Sequence, residues 1–153
     1  MTEDSKTKDR EIVIMRMISA PRDRVWEAFT DPKQLEQWWG PNGFTLTTES
    51  FEMKKGGMWK FVMHGPDGRD YLNKIVFTEI LKPSRISHIH GGDEGEEEFN
   101  ATITLEEIDG KTKVTMTLVF PSATERDRVV QEHDAINGGK QTLGRLEDYL
   151  LKM

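Results

Sequence analysis

The strongest constraint on the fold is a series of six strand-like segments between residues 44 and 120, most of them joined by short turn signals. The segments cover residues 44–53, 58–64, 70–81, 84–90, 97–107 and 112–120. The turn signals are Lys55-Gly56-Gly57, Gly65-Pro66-Asp67-Gly68, Lys82-Pro83-Ser84 and Asp109-Gly110. Parallel neighbours need crossovers of a dozen residues or more, so connections this short predict an antiparallel meander.

Apolar and polar side chains alternate most clearly in the last two segments. The apolar set comprises Phe99, Ala101, Ile103, Leu105, Val114, Met116, Leu118 and Phe120. Successive side chains of a strand point to opposite faces, so this set lies on one face of the sheet. We therefore predict a sheet with one covered face and one face in water.

The segment before the meander predicts one more strand and two short helices. Residues 11–19 are rich in β-branched residues and methionine, which favours a strand. Val25, Trp26 and Phe29 then supply the apolar face of a first helix. Asp31-Pro32 provides an N-cap and first turn for a second helix, and the Gly40 to Gly43 segment ends it.

A helical pattern follows the meander and runs from residue 122 to residue 153. Ser122 and Glu125 match a capping box, and Leu143, Leu146 and Leu150 form a seam that would face a sheet. Gly138-Gly139 is a candidate interruption. The elements together predict a single α+β domain over residues 11–153, in which a curved six-stranded antiparallel meander wraps the C-terminal helix and the two small helices close one end.

Composition excludes several classes of protein. The chain has 21 lysines and arginines against 27 acidic residues, and its net charge of −6 argues against nucleic-acid partners. It has no cysteine, which excludes disulfides and thiolate chemistry. No apolar run is long enough to span a membrane, and the default location is the cytoplasm. Residues 1–10 are polar and predict a disordered tail.

Several motifs resemble one known family. Residues 19–41, SAPRDRVWEAFTDPKQLEQWWGP, are similar to the opening of START-like (SRPBCC) domains of the activator of heat-shock-protein-90 ATPase homologue type. Gly56-Gly57-Met58-Trp59, Gly65-Pro66-Asp67-Gly68 and Leu143-x-x-Leu146-x-x-Tyr149-Leu150 fit the same pattern, so the resemblance covers nearly all of residues 11–152. The resemblance implies a helix-grip fold, in which a seven-stranded antiparallel sheet grips the long C-terminal helix and leaves a cavity between them.

The resemblance implies three functions. The first is binding of a small hydrophobic ligand, lipid-like or aromatic, in the internal cavity. The second is a co-chaperone-like module that contacts a chaperone in the stress response. The third is a cyclase or hydrolase that uses the same cavity. The sequence holds no nucleophile-elbow or dinucleotide-binding motif, and it predicts no cofactor. It identifies no catalytic residue for the third function, and it allows a monomer or a homodimer.

Aromatic residues and methionines are concentrated where the cavity wall would lie. The predicted ligand-binding residues are Trp38, Trp39, Phe44, Trp59, Phe61, Met63, Tyr71, Phe77, His88, Met116, Gly139 and Leu143. Ligand sites are mostly apolar with a few convergent polar groups, and methionine adapts to varied shapes. Each of these side chains taken singly is equally typical of a packed core. The polar candidates for the interior are Arg16, Asn73, Tyr71 and His88.

Two further features leave alternatives open. His88 and His90 share one face of a strand. On the inner face they would be pocket groups, and on the outer face they would be surface residues. With a carboxylate beside them they would be ligands of zinc or copper, but we predict no metal. Relatives often carry tryptophan after the glycine of the last helix, where this chain has Gly138-Gly139. Gly139 would then either enlarge the mouth of the pocket or bend the helix. The acidic run over residues 91–98 predicts a solvated loop.

Overall fold

The computed structural model describes residues 8–92, 99–133 and 135–152. A 3₁₀ turn over Lys8–Arg10 precedes the first strand. The strands are β1 (Glu11–Ile18), β2 (Thr45–Phe51), β3 (Met58–His64), β4 (Asp70–Leu81), β5 (Arg85–Gly92), β6 (Phe99–Ile108) and β7 (Lys111–Val119). The helices are α1 (Arg22–Thr30), α2 (Pro32–Trp38), α3 (Ala123–His133) and α4 (Ala135–Leu151). Residues 1–7 of the predicted tail and residues 93–98 of the predicted acidic loop lie outside the described residues.

The seven strands form one antiparallel sheet in the order β1-β7-β6-β5-β4-β3-β2. Strands β2 to β7 follow one another as the predicted meander. β1 closes the other edge by pairing with β7, where Ile14 lies opposite Met116 and Arg16 opposite Val114. The predicted α+β class, with a seven-stranded sheet and a C-terminal helix, is therefore confirmed.

Two irregularities bend the sheet. The register shifts between Thr48 and Ser50 in the β2–β3 pair, and between Phe77 and Glu79 in the β4–β5 pair. A bulge adds one residue to one strand, which bends that strand and increases its twist. Both bulges lie in the β2–β5 part of the sheet, which borders the site described below.

The core lies between the inner face of the sheet and the helices. From α4, Leu143, Leu146 and Leu150 are buried, as their spacing predicts. From α2, Trp38 is fully buried and its Nε1–H donates to the carbonyl oxygen of Ala28 at 3.2 Å. This hydrogen bond joins α2 to α1.

Both predicted helix caps are present. The Asp31 side chain accepts a hydrogen bond from the Lys33 amide at 3.0 Å, and Pro32 occupies the first turn of α2. The Ser122 hydroxyl accepts a hydrogen bond from the Glu125 amide at 3.1 Å at the start of α3. Such caps satisfy amide groups that have no partner within the helix.

The structure corrects the predicted interruption at Gly138-Gly139 and the interpretation that Gly139 enlarges the pocket. The helix α4 runs unbroken from Ala135 to Leu151, so the glycine pair does not interrupt it. No space is open beside Gly139 either, because the Ile14 side chain from β1 occupies the position that a Cβ atom would take. The glycine therefore allows close contact between α4 and β1 and does not enlarge a cavity.

None of the helices that the structure describes is both long and apolar enough to cross a membrane.

Candidate functional site

A pocket of about 180 Å³ opens between the inner face of the sheet, the start of the α2–β2 connection and helix α4. Its walls are mostly apolar, and its polar side chains are two histidines and one threonine. The lining residues are Trp39, Gly40, Pro41, Met63, His88, His90, Phe99, Ala101, Met116, Leu118 and Thr142. An apolar concavity with a few polar groups is the usual form of a small-molecule site.

A second, much smaller space lies deeper in the core. It holds about 10 Å³, close to the volume needed for one water molecule, and is lined by α1, α2 and strands β3 to β6. Trp39 and His88 line both this inner space and the pocket. These two side chains therefore separate the pocket from the inner space.

Helix α4 holds one side of the pocket, the lip formed by residues 39–41, in place. One guanidinium nitrogen of Arg145, Nη1, donates to the carbonyl oxygens of Gly40 at 3.0 Å and Pro41 at 2.9 Å. The backbone N–H of Asn42 donates to the side-chain oxygen of Gln141 at 3.0 Å. Gly40 has a φ of +102°, a left-handed conformation that suits glycine. The lip is thus attached to α4 by charged and polar contacts rather than by apolar packing.

His88 is the most enclosed polar group of the pocket. The residue is 4% exposed, and its ring centroid lies 6.3 Å from those of Phe77 and His90. Its Nδ1 atom is buried without a hydrogen-bond partner among the described residues. Burial, assisted by the neighbouring His90, lowers the pKa of His88 from 6.5 to about 3. His88 is therefore a neutral imidazole at neutral pH.

His90 lies on the same inner face, half-buried, with Phe99 at a ring separation of 5.0 Å. Its Nε2 atom is 2.8 Å from the amide oxygen of Asn73 on β4. The Asn73 amide nitrogen in turn donates to the Tyr71 carbonyl oxygen at 3.0 Å. Burial lowers the pKa of His90 from 6.5 to about 4, so this ring is also neutral at neutral pH.

The two histidines thus lie on the inner face of the sheet. The alternation of apolar and polar residues in this strand does not determine which face carries them. Among the described residues, no carboxylate joins them as a third ligand. Within residues 8–92, 99–133 and 135–152, no group of three or more histidine, aspartate or glutamate side chains is placed to hold a metal ion. The chemistry available to the pair is hydrogen bonding by neutral imidazoles.

The predicted site residues divide into five sets. Trp39, Met63, His88 and Met116 line the pocket, and Trp59 and Phe77 line the inner space. Trp38, Phe61 and Leu143 are fully buried and pack in the core. Phe44 and Tyr71 contact each other at 6.1 Å outside both spaces, and Tyr71 is 42% exposed. Gly139 packs against Ile14, away from the pocket.

Several lining residues were missing from the prediction. Ala101 and Leu118 belong to the alternating apolar set and line the pocket. Alanine and leucine are typical of any core, so their residue types do not indicate a ligand site. Gly40 and Pro41 were interpreted only as a helix end, although they form the lip. Nothing in the sequence pattern singles out Thr142, whose hydroxyl donates to the Gly138 carbonyl oxygen at 2.8 Å.

The polar candidate Arg16 lies elsewhere, as does a third histidine, His64. Arg16 forms an ion pair with Glu147 of α4 at 2.8 Å, at the exposed edge of the sheet. His64 lies on the outer face, where its Nδ1 is 2.8 Å from Asp70 and its Nε2 is 2.9 Å from the Thr47 hydroxyl. This order of groups resembles a nucleophile, base and acid, but the three side chains are exposed and line neither the pocket nor the inner space.

The curved antiparallel sheet, the long C-terminal helix and the pocket between them define a START-like domain with the helix-grip fold. The chain belongs to the family described as activator of Hsp90 ATPase homolog 1-like protein, whose model matches residues 19–151. The expected family is therefore confirmed. No curated protein matches the sequence at a significant level.

Several solved structures share the fold. A protein from Arthrobacter aurescens is similar at a TM-score of 0.87 and 27% identity, with 96% of this chain and 89% of that chain covered. A protein from Rhodobacter sphaeroides is similar at 0.83 and 26% identity, with 95% of each chain covered. A protein from Nitrosomonas europaea reaches 0.85 at 20% identity, covering 94% of this chain and 96% of that one, and shows the fold alone.

Proposed function

We propose that the protein binds a small, mostly apolar molecule in the pocket. The observation that carries the proposal is an opening of about 180 Å³ in an otherwise well-packed core, lined by Trp39, Phe99 and two methionines around a neutral histidine pair. Protein interiors rarely keep voids larger than a water molecule, because each void forfeits packing energy. A space of this size in such a wall is typical of a ligand site.

The volume favours a ligand with one ring. Pockets for drug-sized ligands usually measure roughly 300–1,000 Å³, whereas an apolar cavity of about 150 Å³ can hold benzene. The pocket of about 180 Å³ falls at the lower end of this scale. A single-ring aromatic compound therefore fits it better than a sterol or a long acyl chain.

The histidine pair favours binding over acid–base catalysis. A general acid or base works best when its pKa is near the working pH. The pKa of His88 is lowered to about 3 and that of His90 to about 4, so neither imidazole takes up a proton readily at neutral pH. The proposal accordingly places the pocket with ligand-binding domains and assigns no reaction to it.

Thermal denaturation with a graded series of apolar compounds tests the proposal. Ligands that bind only the native state raise its stability. Toluene and phenol should raise the melting temperature, while naphthalene and palmitate should have little effect. Native mass spectrometry of freshly purified protein should reveal any molecule that is retained.

Two leucine substitutions form a matched pair for this experiment. Ala101 is 2% exposed and lines the pocket, so Ala101→Leu should fill the pocket and abolish the stabilisation by toluene. Thr117 lies on the outer face of the neighbouring strand β7, opposite Thr102, so Thr117→Leu should leave toluene binding unchanged. Equal toluene binding in the wild type and Ala101→Leu would contradict the proposed site.

A second candidate is an interaction with a chaperone of the Hsp90 type. The description of the family supports it, as does an exposed apolar stripe on the edge strand β1. Val13 is 47% exposed, Met15 59% and Met17 43%, and all three project from the outer face. Exposed apolar patches often mark protein contacts.

Added full-length protein should then change the ATP turnover of an Hsp90-type chaperone. Met15→Lys should remove the effect, because it places a charge in the stripe. Tyr71→Lys, at a comparably exposed position outside the stripe, is the matched control. An unchanged ATP turnover with the wild type would eliminate this candidate.

A further inference from the structure

We infer that the pocket selects a single-ring molecule bearing a hydroxyl group, of the size of phenol, whose oxygen bridges the imidazoles of His88 and His90. The inference rests on the proposed function and adds the chemical class of the ligand. It depends on which ring nitrogen of His90 carries the hydrogen, and neighbouring residues determine this.

A chain of hydrogen bonds fixes the tautomer of His90. The Tyr71 carbonyl oxygen can only accept, so the Asn73 amide nitrogen faces it at 3.0 Å and the amide oxygen faces His90. That oxygen also can only accept. The Nε2 atom of His90, 2.8 Å away, must therefore carry the hydrogen, and Nδ1 of the neutral ring keeps a bare lone pair.

A bare lone pair requires a ligand that donates. Hydroxyl groups can donate, whereas carbonyl and ether oxygens can only accept. A carboxylate is excluded for a second reason, because its charge would be buried beside two neutral rings with no cation among the pocket residues. Phenol supplies the required hydrogen and remains uncharged at neutral pH.

His88 supplies the second contact. Its buried Nδ1 has no partner among the described residues, so no neighbour fixes its tautomer and the ring can donate to an oxygen. The two ring centroids are 6.3 Å apart. Since hydrogen bonds of about 2.8 Å join heavy atoms, one oxygen between the rings can donate to His90 and accept from His88. A hydroxyl group is the smallest group that does both.

Two aromatic side chains of the wall contact the rest of the ligand. Trp39 and Phe99 both line the pocket, with Met63 and Met116 as adaptable apolar surface beside them. A benzene ring buries its faces and edges against these groups while its hydroxyl reaches the histidines. Ring and hydroxyl are therefore recognised by separate parts of the wall.

Isothermal titration of the full chain with phenol, toluene, benzaldehyde and benzoate tests the inference. Phenol and toluene have nearly the same size, so their ratio isolates the hydroxyl. Two satisfied hydrogen bonds predict that phenol binds roughly ten-fold more tightly than toluene, with benzaldehyde and benzoate weaker than phenol. In His90→Phe the preference for phenol over toluene should fall by roughly five-fold or more, with toluene binding retained. His64→Phe, on the outer face, is the matched control and should keep the preference.

The outcomes separate the inference from the proposed function. Binding of toluene and phenol with equal affinity, or tighter binding of benzoate, would overturn the hydroxyl selection and leave the apolar ligand site standing. No binding of any of the four compounds would overturn both. Loss of the phenol preference in His90→Phe, but not in His64→Phe, would support the inference.

A second variant tests the tautomer without removing either ring. Asn73→Leu has nearly the same shape but no oxygen to hold the Nε2 hydrogen of His90, so the ring can present N–H to the pocket. Benzaldehyde should then gain affinity relative to phenol. In the wild type, nitrogen-15 spectra of the imidazoles should show His90 protonated at Nε2 alone, and protonation at Nδ1 would overturn the inference.

Discussion

At the scale of single residues, the unusual feature is a pair of histidines on the inner face of the sheet that contact no charged side chain in the part of the chain that the structure describes. Buried polar groups are normally hydrogen-bonded, and each exception needs an explanation. His90 satisfies one nitrogen with Asn73, while His88 leaves Nδ1 without a partner among the described residues. An unsatisfied donor or acceptor costs stability, so its retention beside a pocket supports a ligand-binding role.

Burial of neutral His88 makes stability depend on pH. The pKa of His88 is lowered to about 3 in the folded chain, against 6.5 for the free side chain. Between these values the unfolded chain binds more protons, so the free energy of unfolding rises with pH and is lost as the pH falls below about 6.5. From about pH 7 to about pH 5 the wild type should lose roughly 2 kcal/mol more than His88→Phe.

Urea denaturation of both proteins at the two pH values measures this difference. The carboxylates that also titrate are common to the wild type and the variant, so they cancel in the comparison. Equal losses of stability in the two proteins would mean that His88 is protonated in the folded state and would contradict its burial as a neutral ring.

At the scale of elements, contact between α4 and β1 depends on the side of the helix on which each glycine lies. A Cβ atom at Gly138 would meet only Pro41, at 3.8 Å, whereas one at Gly139 would overlap the buried Ile14 side chain. Gly138→Ala should therefore stabilise the protein by about 1 kcal/mol through helix propensity. Gly139→Ala should destabilise it by about 1 kcal/mol, because overpacking outweighs the same gain.

Chemical denaturation of the two alanine variants measures these opposite effects. Shortening Ile14 to valine removes the Cδ1 atom that the new methyl group meets. Ile14→Val should accordingly cost less stability in the Gly139→Ala background than in the wild type, giving a coupling energy in a double-mutant cycle. Equal effects of the two glycine replacements would contradict the packing described here.

The link between α4 and the lip is the second feature at this scale. Arg145 satisfies two carbonyl oxygens, of Gly40 and Pro41, that no other side chain is seen to reach among the described residues. Arg145→Met should cost about 1–3 kcal/mol, since hydrogen bonds from a charged donor are stronger than neutral ones. Amide hydrogen exchange at Phe44, whose N–H donates to the Pro41 carbonyl oxygen, should become faster.

Arg85 provides the comparison for this variant. It forms a 2.8 Å ion pair with Glu79, but both side chains are more than two-fifths exposed. Surface pairs contribute little, so Arg85→Met should cost less than about 1 kcal/mol and leave the exchange at Phe44 unchanged. A smaller loss of stability in Arg145→Met than in Arg85→Met would contradict the anchoring role of Arg145.

At the scale of the whole molecule, the sequence predicted the architecture well because local signals carry it. Each of these signals acts within a few residues: the hairpin turns, the alternation in β6 and β7, the caps at Asp31 and Ser122, and the leucine seam of α4. The pairing of β1 with β7 is not local in sequence, and the resemblance to a family, rather than a pattern, supplied the seven-stranded arrangement.

The pocket was predicted less well, because a void is what remains after packing and no residue type encodes it. Large aromatic residues such as Trp38 and Phe61 filled the core, while the small Ala101 and the lip glycine Gly40 left the opening. Whether the space beside Gly139 is open or filled depends on the distance between α4 and β1. That distance is a property of the assembled fold, which a single sequence does not reveal.

An open pocket also implies a balance between binding and stability for the molecule as a whole. The apolar side chains that line the pocket of about 180 Å³ have fewer packing partners than they would have in a filled core, so the open pocket lowers the stability of the unliganded fold. Filling the pocket should recover part of the lost stability.

Ala101→Leu should raise the free energy of unfolding by about 1 kcal/mol in the absence of ligand, through burial of added methyl groups. Urea denaturation with an unchanged m-value measures the gain, and Thr117→Leu on the outer face should show none. A loss of stability in Ala101→Leu would mean that the space is not available to a side chain, and would count equally against its occupation by a ligand.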